Sequence, residues 1–282
     1  IGRWAGFSAQ IGALLGSSVG TLAATNLTQE SLHAWGWRVP FIAGSVIAMA
    51  GWYLRRRIPE SPAFEELRRS GVVPSSPVRE VLTLHRTPMF QVVGLVWLHG
   101  VGFYTFYVYL PTYLTTVSSL SIGTALTLNT FCMALMALLI PLMGKLSDRV
   151  IPKRLLTVGA AALALVTVPL FSWLSSGQLV WIATAQVLIT VCVATYMGPF
   201  FAVVATLFPV SGRYTGLSIS YNLASAVFGG TAPLMATVLM ERSGSALAPG
   251  WYVALCAVCS LIALFTIRQE VGAQTPVPTR GH

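Results

Sequence analysis

Eight apolar runs, most of them long enough to cross a lipid bilayer, decide what this 282-residue chain can fold into. A membrane-spanning helix needs about 20 predominantly apolar residues, since in hydrocarbon its backbone N–H and C=O groups must pair within the segment. The runs cover residues 4–24, 39–54, 89–114, 123–144, 155–174, 179–207, 215–239 and 251–267. The second is short unless Trp37 and Arg38 sit at the interface. The sixth is long and contains Gly198-Pro199, where the missing proline N–H predicts a kink. Only 9% of the residues are charged, against roughly 25% in a soluble domain, so lipid rather than a core must cover this apolar surface. The expected fold class is an all-α integral membrane protein with eight transmembrane helices.

The charge that remains marks topology. The net charge of +9 would suit nucleic acid only if the bases formed a soluble face; here they lie in short loops between apolar runs, so no nucleic-acid partner is expected. When alternate loops are assigned to opposite sides, one side receives 15 of the Lys and Arg residues and the other only Arg38 and Arg242. The basic side faces the cytoplasm, which puts both termini there, in the plasma membrane. Residues 1–54 then form two spans, 55–88 a cytoplasmic loop, 89–268 a six-helix bundle and 269–282 a polar, disordered tail. Within the loop, Glu65 and Glu66 stand three and four residues from Arg68 and Arg69, a spacing that supports a short surface helix. An irregular linker is expected over residues 72–77.

Conventional catalytic chemistry finds little support. The four cysteines, Cys132, Cys192, Cys256 and Cys259, all lie in apolar runs. The C-x-x-C of Cys256 and Cys259 has no basic or polar neighbour to activate a thiolate, and no metal-ligand pattern occurs. No span carries a carboxylate, and His99 is the one ionisable group expected within a span, which makes it a functional candidate. At 100° per residue, His99, Gly102, Phe106, Tyr109 and Tyr113 fall on one helical face, within a sector of about 80°. Two readings of that face stay open: a substrate- and proton-handling stripe, or an aromatic packing face. Asn222, aligned with Ser218, Ser225 and Gly229, either lines a cavity or joins helices. The same choice applies to Gln186 with Thr190, and to Asn129.

Four segments carry a family resemblance. They are GWRVPF at Gly36–Phe41, YLRRRIPESPAFEEL at Tyr53–Leu67, GKLSDR at Gly144–Arg149 and LFPVSGRYTGLSISYNLASAVFGGTAP at Leu207–Pro233. In order and spacing they resemble the metabolite:proton symporter family of the major facilitator superfamily. The resemblance implies a partial major-facilitator fold: the last two helices of the N-terminal half followed by the six-helix C-terminal half, with the first four helices absent. It also implies symport of a small organic metabolite, an organic acid or an osmolyte, by alternating access, with protons as the coupling ion and no other cofactor. The partners would be the bilayer, the metabolite and the missing N-terminal helices.

In this resemblance GKLSDR is the signature loop, with Gly144, Asp148, Arg149, Lys153, Arg154 and, from the later segment, Arg213 as gating and loop residues. Val150, Ile151 and Pro152 depart from the family's tight glycine-containing turn. Asp148 would latch onto the positive end of the first helix near Gly2–Gly6; an acid at such an end gains roughly 0.3–1 kcal/mol when exposed. Since the coupling residues of the first four helices are missing, the isolated chain is not expected to transport. An inactive truncated fragment and an intramembrane enzyme are the alternatives.

Overall fold

The computed structural model describes residues 2–57, 77–208 and 212–267. The charged helix expected at residues 62–69, residues 72–76 of the linker, Pro209 and the tail 269–282 lie outside the described residues.

Two helices come first: α1 (Gly2–Asn26) and, after the short α2 (Gln29–Ala34) and a 3-10 turn (Gly36–Arg38), α3 (Val39–Arg55). A helix inside the central loop, α4 (Pro77–Leu84), leads into the bundle. There α5 spans Arg86–Thr116, α6 Ile122–Arg149, α7 Pro152–Leu174, α8 Leu179–Thr206, α9 Arg213–Ser243 and α10 Ala248–Thr266. Seven of these helices are long and apolar enough to cross a membrane. The eighth expected span, α3, is helical but has 17 residues. Its ends carry interfacial anchors: the Arg38 guanidinium lies 4.3 Å over the Trp37 ring, and Arg56 lies 3.8 Å over Trp52. Such amphipathic rings favour the headgroup level.

Local chemistry sets the helix ends. Ser121 caps α6 by accepting from the Thr124 N–H at 3.2 Å, which satisfies one of the free donors at the helix start. Gly244 ends α9 with φ +64°, a left-handed conformation that suits glycine. Between α6 and α7 only Val150 and Ile151 are non-helical, the first of them extended, and Pro152 opens α7 where a missing N–H costs nothing. The departure from the family turn is therefore a two-residue non-helical link. It leaves Lys153 partly buried in the first turn of α7, where Nζ donates to the Ile267 carbonyl at 2.6 Å. That carbonyl closes the negative end of α10. Lys153→Ala is expected to cost about 1 kcal/mol, seen as a melting temperature lowered by roughly 2–4 °C for the chain in detergent.

Close helix approaches organise the bundle. A Cβ on Gly159 of α7 would lie 2.6 Å from the Tyr196 nitrogen of α8, and one on Gly198 would lie 2.6 Å from Met143 Cβ and 3.1 Å from the Gly144 nitrogen of α6. Small residues allow such contacts where lipid offers no hydrophobic drive for helix association. The helix α8 runs through Pro199.

Polar contacts bind α1 to α6. Ser17 and Thr21 both hydrogen-bond Thr130 at 2.7 Å. Thr25 lies beside Gly123 and Gly6 beside Ile140. These pairs define an antiparallel register, and its continuation brings Gly144, one turn before the end of α6, level with the start of α1.

Two spans change pitch. Tyr104–Tyr109 in α5 and Ser225–Gly229 in α9 are π-helical. The two helices meet beside these segments, where a Cβ on Gly100 would stand 3.2 Å from Gly229 Cα.

Candidate functional site

A cavity of about 170 Å³ opens where α1 meets the bundle. By comparison, a cavity of roughly 150 Å³ can hold benzene. The helix α1 contributes Gly6, Ala9 and Gln10. From α5 come His99, Gly100, Phe103 and Tyr104; from α6, Ile140; from α8, Met197 and Phe201; from α9, Tyr221 and Ser225. None of these lining residues is Asp, Glu, Lys or Arg. The cavity is neutral in composition, and aromatic faces form much of its wall.

His99 lies at the centre of the ring cluster. Its imidazole is 4.3 Å from the Phe200 ring centroid, 5.7 Å from Tyr221 and 6.0 Å from Phe201. Phe201 and Tyr221 are 5.8 Å apart. Gln10 is 3% exposed, and its Nε2 reaches the Met133 carbonyl at 3.5 Å.

The expected stripe on α5 divides at the π segment. His99 lines the cavity, but Phe106, Tyr109 and Tyr113 are buried inside the bundle. Phe106 and Tyr113 pack on Phe171 of α7, and the Tyr113 hydroxyl donates to the Ala246 carbonyl at 2.8 Å. The wider π turn carries more residues per turn than an α-helix. It rotates the residues beyond it away from the 100° projection, while Phe103 and Tyr104, one turn after His99 and Gly100, line the cavity.

Gln186 belongs to a second polar cluster. The Tyr107 hydroxyl donates to Thr190 Oγ1 at 3.1 Å, Thr190 donates to the Gln186 carbonyl at 2.8 Å, and Cys132 Sγ lies 3.9 Å from Gln186 Oε1. Asn129 Nδ2 donates to the Tyr107 carbonyl at 3.1 Å. The cleft between them has no room for a water molecule, so the structure places these groups in packing contact and apart from the cavity. Asn222 is exposed and its Nδ2 donates to its own helix at the Ser218 carbonyl, 2.8 Å away; the cavity residues of α9 are Tyr221 and Ser225.

The loop residues lie at the far ends of the helices. Asp148, Arg149 and Arg154 are exposed, Gly144 is buried against Gly198, and Arg213 Nε donates to the Phe208 carbonyl at 3.3 Å. Cys132, Cys192, Cys256 and Cys259 are free thiols. No cluster of metal-ligating side chains occurs among the described residues.

Sequence reasoning missed Gln10, Phe103, Tyr104, Phe201 and Tyr221. Gln10 carried a usable signal, being a primary amide in a run of small and apolar residues. The rings carried none, because aromatic residues recur throughout the spans.

The profile of the Major Facilitator Superfamily matches residues 2–233. A putative proline/betaine transporter of Staphylococcus aureus (strain COL) is 32% identical over 244 residues, covering 84% of this chain and 51% of the relative. The glycine betaine/proline/ectoine/pipecolic acid transporter OusA of Dickeya dadantii is 30% identical over 271 residues, covering 93% of this chain and 54% of its own length. The proline/betaine transporter of Salmonella typhimurium is 28% identical over 278 residues, with 95% and 55% covered. The chain thus spans about half the length of the curated relatives it matches. No solved structure matches it significantly.

Proposed function

The chain belongs to the Major Facilitator Superfamily, and from that premise we propose that it serves proton-coupled symport of a small, net-neutral metabolite by alternating access. Membership sets it among multi-pass membrane transporters rather than enzymes. The metabolite:proton symporter family, the bacterial inner membrane and cytoplasmic termini are the finer placement we propose.

The observation that carries the substrate class is the aromatic cavity without a charged lining residue. With His99 neutral, a lone organic anion there would lack a compensating charge, and an unpaired charge away from water is costly. A zwitterion brings its own balance. Its alkylated ammonium group suits the faces of Tyr104, Phe201 and Tyr221, each cation–π contact contributing about 0.5–1 kcal/mol when exposed and ~2 when desolvated. Of the two classes that the resemblance implied, this favours the osmolyte over the organic acid. The names of the relatives, proline/betaine transporters, point the same way.

Coupling is assigned to His99. Of the side chains lining the cavity, it alone becomes a cation by taking up a proton. Its protonated form supplies the positive charge that a carboxylate lacks elsewhere in the wall, which links proton and solute occupancy. Asp148 is the proposed cytoplasmic latch, supported by the register that draws the end of α6 towards the start of α1, where the helix dipole favours an acid.

The test is competition binding to the chain in lipid nanodiscs. Unlabelled glycine betaine and proline are expected to displace radiolabelled glycine betaine, and succinate is not. Displacement by succinate with no effect of either zwitterion would overturn the net-neutral assignment.

A further inference from the structure

The geometry points to Gln10 as the residue that receives the carboxylate end of the solute, dividing the recognition of one molecule between α1 and the bundle. This rests on the reading of the cavity as a zwitterion site. The rings that suit an ammonium group, Tyr104, Phe201 and Tyr221, all belong to the six-span bundle. The helix α1 supplies Gly6, Ala9 and Gln10. Gln10 is the one polar side chain of these three.

A primary amide has two N–H donors and a carbonyl acceptor. Among the described residues, the hydrogen bond of Gln10 is the Nε2 contact with the Met133 carbonyl, long at 3.5 Å. The side chain is nevertheless nearly buried, with 3% exposed. At least one N–H is therefore left to the cavity, where it has no hydrogen-bond partner among the described residues. A carboxylate is the strong acceptor that such a donor suits.

The choice of residue also sets selectivity. A Lys or Arg at this position would admit plain anions by charge alone. A neutral amide gives direction without net charge, so it favours a carboxylate already balanced by its own ammonium. Bound in this way, the solute ties α1 to the bundle across the cavity. It adds to the Ser17, Thr21 and Thr130 contacts that already join α1 to α6.

The experiment compares glycine betaine with choline, which keeps the quaternary ammonium and replaces the carboxylate with a hydroxymethyl group. Affinities are measured in nanodiscs for the unaltered chain, Gln10→Ala and Gln10→Glu, with melting curves as the folding control. A hydrogen bond to a charged group corresponds to roughly 10–100-fold in affinity. Gln10→Ala is expected to lose about that much for glycine betaine and to hold choline within about twofold. Gln10→Glu, of similar size, is expected to bind glycine betaine more weakly than Gln10→Ala and choline more tightly than the unaltered chain. Equal weakening of both ligands in Gln10→Ala, or glycine betaine binding to Gln10→Glu as tightly as to the unaltered chain, overturns the assignment while the zwitterion site stands. Failure of the unaltered chain to bind glycine betaine overturns the site and, with it, the role of Gln10.

Discussion

Gly159→Ala is expected to melt roughly 6–12 °C below the unaltered chain. Its added methyl would stand 2.6 Å from the Tyr196 nitrogen, 2.8 Å from Tyr196 Cα and 3.0 Å from the Thr195 carbonyl carbon. All three are backbone atoms of α8, so no rotamer change relieves the contact, and α7 and α8 must separate along their length. Forcing extra volume into a packed interior costs typically 1–3 kcal/mol. The upper value, converted at 2–4 °C per kcal/mol for chains of this size, gives that shift. Thiol-reactive dye uptake is a direct readout, because Cys132 and Cys256 are buried in the folded chain. Gly16→Ala is the control: its added methyl meets nothing within 4 Å, and alanine is the better helix former by about 1 kcal/mol. Its melting temperature is expected to stay level or rise. A Gly159→Ala melting curve that coincides with the control would mean that α7 and α8 leave room for a methyl group at Gly159.

His99→Asn is expected to remove the pH dependence of solute binding. In the unaltered chain, glycine betaine should bind more tightly as pH falls from 7 to 4, because proton and solute occupancy favour each other. Coupling free energies of this kind are typically 1–3 kcal/mol, or 5–150-fold in affinity. Asparagine keeps a polar side chain in the cavity but cannot take up the proton. The variant should therefore bind with one affinity across that range, near the high-pH value of the unaltered chain. A His99→Asn chain that still tightens tenfold on acidification would place the coupling group elsewhere.

Both predictions draw on features that the sequence exposed unequally. Gly159 is one of 25 glycines, and composition does not distinguish it from Gly16. Their roles differ only because α8 lies against one, while open space lies beside the other. His99 was legible, as an imidazole in an apolar run. Its neighbours were not. The 100° projection grouped it with Phe106, Tyr109 and Tyr113, which holds only while α5 keeps α-helical pitch. The π turn at Tyr104–Tyr109 breaks that pitch, and it leaves no mark on a pattern in which nearly every residue is apolar or aromatic. Gln186 and Asn222 were polar residues in spans, and the structure gives them local or interhelical bonds instead of cavity positions.

The sequence by itself determined the spans, the side on which charge collects and the family. These depend on properties that add along the chain: the length of an apolar run, the count of bases in each loop and the order of motifs. Tertiary structure alone decided which side chains share the cavity. That depends on where helices from distant parts of the chain cross, how closely glycines let them approach and where one turn widens. Gln10 and Tyr221 stand more than two hundred residues apart, and the α1–α6 register and the meeting of α5 with α9 at Gly100 and Gly229 bring them to one cavity.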